Sequence, residues 1–85
     1  MNYKIVGITD WYDRPKEDKD AINRIGRVVT FEQPVIIGRS LFLLCVSPSF
    51  LKSIMTSPVK DVISKENVVI IITMNSKYYL EKCYE

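Results

Sequence analysis

The sequence contains no histidine. That removes the commonest general base of neutral-pH catalysis and the imidazole ligand of most catalytic zinc sites. Only two cysteines are present, Cys45 and Cys83, and two thiols fall short of the four ligands a structural zinc site needs. Three glycines and four prolines are too few for a disordered or repetitive chain. There is no Gly-x-Ser-x-Gly elbow and no phosphate-cradling glycine loop. No apolar run approaches the roughly 20 residues that span a bilayer, so no membrane association is expected. The N-terminal residues Met1 to Gly7 lack the apolar block and small-residue cleavage site of an export signal, which predicts cytoplasmic residence. In that compartment Cys45, embedded in Leu41-Phe42-Leu43-Leu44-Cys45-Val46, behaves as a small hydrophobe rather than half of a disulfide. These absences leave no assignable catalytic residue, cofactor or metal ligand, and the chain does not read as an enzyme.

What the 85 residues do contain is β-sheet chemistry. Val68-Val69-Ile70-Ile71-Ile72 is a run of five β-branched residues, stiff at χ1 and suited to a pleated surface buried on both sides. Asn75-Ser76 supplies the turn chemistry that returns the chain through Lys77 to Cys83, and the two segments specify a hairpin. Within the return strand, Tyr78 and Leu80 face one way, Tyr79 and Glu81 the other. Asn2 to Thr9 reads as the opening strand, with Tyr3 and Ile5 on one face, Lys4, Val6 and Ile8 on the other, and a bulge or close approach at Gly7. Arg24 to Phe31 is a second strand, Glu32-Gln33-Pro34 a turn, and Ser40 to Val46 a third strand, apolar on both faces and therefore central. Ser47-Pro48-Ser49 turns the chain. Phe50 to Met55 carries apolar residues at helical spacing but is short for a helix, which favours a fourth strand over Leu51 to Thr56. Lys60 to Ser64 reads as a helical turn plugging one end. The connection from Asp10 to Asn23 is long, polar and interrupted by Pro15.

Six short strands in so small a chain cannot form a two-layer sandwich of ordinary size, and bending one sheet onto itself encloses a single small core. The residues Thr56-Ser57-Pro58-Val59, followed by Thr73-x-Asn75-Ser76-x-Tyr78-x-Leu80, resemble the C-terminal hairpin of small Src-homology-3-like (SH3-like) β-barrels among uncharacterised bacterial proteins. The resemblance covers Thr56 to Leu80 and implies a single-domain, all-β, SH3-like barrel in which the long first loop occupies the place of a binding loop.

That loop concentrates the candidate site. Trp11 and Tyr12, ahead of Asp13-Arg14-Pro15, suit an aromatic ledge for a partner peptide, or else Trp11 closes one barrel end and Tyr12 is the exposed member. Residues 10–20 hold five acids against three bases, a net of −2, which leaves +4 for the rest of a chain whose total is +2. The acids lack the spacing of a calcium loop, and Arg14, Lys16 and Lys19 would repel the ion, so they read as a solvated face. Arg24 and Arg27 read as charges flanking a strand. With Arg39 and neighbouring tyrosines they also suit a single-stranded nucleic acid surface, although the pI of about 8.6 lies below that of most such domains. The sequence thus predicts a protein-interaction module binding through Trp11, Tyr12, Arg14, Arg24 and Arg27, with single-stranded nucleic acid as the alternative partner. Tyr78, Tyr79 and Tyr84 further suggest a homodimer through the C-terminal strand, provided that strand is an edge.

Overall fold

The computed structural model describes residues 1–31, 33–48 and 52–83. Seven strands and one short helix follow in the order β1 (Asn2–Thr9), α1 (Lys19–Arg24), β2 (Val28–Thr30), β3 (Phe42–Ser47), β4 (Ile54–Met55), β5 (Val59–Ser64), β6 (Val68–Thr73) and β7 (Lys77–Cys83). The chain is all-β: every pairing is antiparallel, and the strands form one sheet in the order β4-β3-β2-β1-β7-β6-β5. The ladder is not closed into a barrel. The connection between β2 and β3 reaches the start of β5, where Gly38 N donates to the Val59 carbonyl (2.8 Å) and Val59 N to the Arg39 carbonyl (2.9 Å). Beside that contact the β5–β6 register shifts between Val59 and Asp61.

The predicted hairpin forms with Ile72 opposite Lys77 and Ile71 opposite Tyr78. Tyr78 and Leu80 point into the core at 4% and 0% exposure, while Tyr79 and Glu81 face outward. The β-branched run is fully buried on one face only: Val69, Ile71 and Thr73 are inside, and Val68, Ile70 and Ile72 are half-buried on the outer face. Each fully buried aliphatic side chain contributes roughly 1.5–3 kcal/mol relative to an exposed one, and Ile5, Val29, Leu43, Val59, Ile71 and Leu80 form the centre of that core. Tyr3 stacks on Phe31 with ring centroids 5.1 Å apart and packs against the cluster.

Gly7 does mark a bulge: the β1–β7 register shifts between Ile5 and Gly7. Its consequence is that Ile8 turns inward and is 3% exposed, rather than sharing the outer face with Lys4 and Val6, because one inserted residue inverts the alternation beyond it.

Other expectations are corrected. Lys60 to Ser64 is not a helical turn but lies in β5, where Val62 and Ile63 pair with Ile71 and Ile70. The second strand is only Val28–Thr30; Arg24 ends α1, and Gly26, at φ 92°, turns the chain between them. α1 begins where Asp18 accepts the Ala21 amide at 3.3 Å, and it buries Ala21 alone. β3 is not apolar-buried on both faces: Leu43 is inside, while Phe42 and Leu44 are 46% and 42% exposed. The fourth strand is only Ile54–Met55, with Lys52, Ser53 and Thr56 outside it; Phe50 and Leu51 lie outside the described residues, as do Glu32 of the predicted turn, Ser49 and Tyr84. β7 lies between β1 and β6, so its backbone groups are committed on both sides and it offers no edge to a second copy. Cys45 and Cys83 are free, half-buried thiols.

Candidate functional site

Residues 10–14 form a tight turn built on one carboxylate. Asp10 Oδ1 accepts the backbone amides of Tyr12 (2.8 Å) and Arg14 (3.0 Å), and Oδ2 accepts Arg14 Nε (2.9 Å). Aspartate is suited to this, since its short side chain reaches its own backbone two residues on. The Asp10 amide in turn donates to the Arg14 carbonyl (2.9 Å), and a bridge between Thr9 and Pro15 closes the loop onto β1. Asp13 sits at φ 62°, in the left-handed region that Asp tolerates better than most residues.

A second carboxylate clamps the turn to the sheet. Asp13 Oδ1 accepts Lys77 Nζ at 2.8 Å and the Tyr79 hydroxyl at 3.0 Å. The Lys77 hydrogen bond, followed by that of Tyr79, holds the Asp13 carboxyl below its usual range, and the same bond raises Lys77. At Asp10, partial desolvation opposes ionisation, but the Arg14 and Tyr12 hydrogen bonds outweigh it and the carboxyl is lowered.

The turn therefore presents its aromatics in fixed positions. Trp11 is half-exposed, with its indole N–H bonded to the Thr73 carbonyl at 2.8 Å, while Tyr12 is 80% exposed with the Arg14 guanidinium 5.3 Å from its ring centroid. One edge of Trp11 is tied to the end of β6, and the rest of its surface remains open.

Arg24 and Arg27 do not join this turn through any contact. Arg24, at the end of α1, donates from Nη1 to the Tyr78 hydroxyl at 2.9 Å and lines a cleft of about 220 Å³ between α1 and the β6–β7 turn. Arg27 donates to the Asn23 carbonyl (3.0 Å), and its own carbonyl accepts the Ile5 amide (2.9 Å), so its backbone extends the β1–β2 pairing. Arg39 lines a different cleft, with Pro34, Ile36 and Leu41. The three arginines thus occupy separate settings.

Sequence reasoning missed Ser57, Asn75 and Ser76 as wall residues of the Arg24 cleft. Ser57 Oγ donates to Thr73 Oγ1 (2.7 Å) and accepts the Asn75 amide (3.3 Å), and Thr73 Oγ1 also accepts the Ser76 amide (3.1 Å). The two halves of the Thr-Ser-Pro-Val and Thr-x-Asn-Ser-x-Tyr pattern meet here, and that pattern was the available signal. Among the described residues no three Cys, Asp or Glu side chains converge on a metal-sized site, and no helix is long and apolar enough to cross a membrane. Compared with family models, with curated proteins and with solved structures, the chain matches none.

Proposed function

We propose that this protein is a non-catalytic protein-interaction module of the cytoplasm, a small domain related to SH3-like barrels, whose contact surface is the turn carrying Trp11, Tyr12 and Arg14. The observation that carries this reading is Tyr12, 80% exposed yet displayed on a turn fixed at both ends by Asp10 and Asp13. An exposed aromatic normally costs entropy to immobilise on binding; here the backbone is ordered beforehand, and Tyr and Arg are the residue types that most often anchor interfaces. Arg24 and Arg27, which have separate settings, are not part of this surface.

The test is capture of binding proteins on the immobilised domain, comparing the wild type with Tyr12→Ala/Arg14→Ala. Loss of a specific captured protein is expected, with stability changed by no more than about 1 kcal/mol, since the deleted groups are exposed. Capture that survives the double substitution overturns the reading, as does a large loss of stability, which would make the turn a structural element. Titration with a single-stranded oligonucleotide at two salt concentrations separates the competing partner class: phosphate contacts weaken steeply with salt, and this proposal expects no response.

A further inference from the structure

The cleft beside α1 is distinct from the aromatic turn and has its own chemistry. Its cations lie deeper than its acids: Lys16 and Arg24 are half-buried, whereas Asp18 and Asp20 are exposed at the rim. Neither Lys16 nor Arg24 is ion-paired among the described residues; the two ion pairs there are Arg14–Asp10 and Lys77–Asp13. Arg24 spends one of its five N–H donors on the Tyr78 hydroxyl, which aims the guanidinium, and the others are uncommitted. Withdrawing a cation from water without a counter-charge is unfavourable, and a bound carboxylate removes that cost by accepting charge-assisted hydrogen bonds. Asp18 already caps the helix through the Ala21 amide, which leaves Asp20 as the free acid at the mouth. The opposite wall is formed by Met55 and by Ser57, Asn75 and Ser76, the last three held by hydrogen bonds among themselves and to Thr73 across the β6–β7 turn.

Two cations within and two acids at the rim give the cleft no net charge, so a simple anion gains little from long-range attraction. A molecule carrying both signs fits the gradient. At about 220 Å³ the cleft holds roughly seven water volumes, on the order of seven non-hydrogen atoms. We infer that this cleft is a binding site for a small α-amino-acid-type zwitterion, its carboxylate on Arg24 and Lys16 and its ammonium group facing Asp20. The inference does not rest on the role of Tyr12, and the two fail separately.

The experiment is an amide-resolved NMR titration of the whole labelled chain with L-serine at millimolar concentration, with acetate and methylammonium as single-charge controls. L-serine is expected to shift the signals of Arg24, Ser57, Asn75 and Ser76, and each control to shift them several-fold less. Arg24→Gln is expected to weaken the response about tenfold, the equivalent of one charge-assisted hydrogen bond. Lys16→Gln, which alters no hydrogen bond of the fold, is expected to weaken it as well and serves if Arg24→Gln disturbs Tyr78. No response to L-serine overturns the inference. So does an equal response to acetate, or a response that survives both substitutions.

Discussion

The indole N–H of Trp11 donates to the backbone carbonyl of Thr73 at 2.8 Å, joining residues 62 positions apart in the chain. This bond, rather than burial, ties the aromatic turn to the end of β6, since half of the Trp11 surface stays open. Trp11→Phe keeps most of the ring and removes the donor. It is expected to cost about 1 kcal/mol, which in a domain of this size lowers the melting temperature by roughly 4–8 °C. Thermal denaturation followed by far-ultraviolet circular dichroism checks this, and an unchanged melting temperature would assign the turn's order to Asp10 and Asp13 alone.

The Asp13–Lys77 clamp confines the turn to a window of pH. Because the Asp13 carboxyl is depressed in the folded chain, its contribution is complete above the unfolded value of 3.8 and is lost as pH falls through the lower, folded value. Lys77 is raised, so its contribution is complete below 10.5 and is lost as pH rises through the folded value. Chemical shifts of the Tyr79 ring and the Lys77 ε-methylene are expected to stay constant between these limits and to move together outside them. The Asp13→Asn variant is expected to flatten the acid limb and leave the global fold in place, because the clamp is at the surface.

Two glycines of this chain predict opposite outcomes when replaced by alanine. Gly26 has φ 92°, and its amide donates to the Ile5 carbonyl at 2.7 Å, so a Cβ there is strained although nothing stands in its way. Gly26→Ala is expected to destabilise by about 1–2 kcal/mol in urea unfolding. Gly7 has ordinary backbone geometry, and an added Cβ would rest at 3.8 Å from Tyr79 Cδ1, normal van der Waals contact. Gly7→Ala is expected to change stability by no more than about 0.5 kcal/mol.

The difference between these glycines parallels what could be read from the residues. The β6–β7 hairpin was legible because five β-branched residues and an Asn-Ser turn are local and mutually consistent signals. β5 was not, because Val59 is its one fully buried residue and Lys60-Asp61 interrupts the alternation at a bulge. α1 was hidden in a charged loop: six residues with one buried side chain carry almost no periodicity, and Asp18 as a cap looks like any other acid there. Trp11, Tyr12 and Arg14 stood out in the sequence because two adjacent aromatics close to an arginine are an unusual local grouping. The Arg24 cleft was beyond reach because it depends on β1 pairing with β7, which sets Ile8 opposite Tyr78, a pairing that sequence order does not suggest.

That same strand order makes β7 a keystone in time as well as in space. Asn2 pairs with Cys83, so the first strand waits for the last. On the ribosome, β4-β3-β2-β1 and β5-β6 can exist only as two separate half-sheets, each with a raw interior edge, until Lys77–Cys83 emerges and enters between them. Completion of the sheet is thereby deferred until β7 has been made, and joining Asn2 to Cys83 is a contact of long sequence separation, the kind that slows folding.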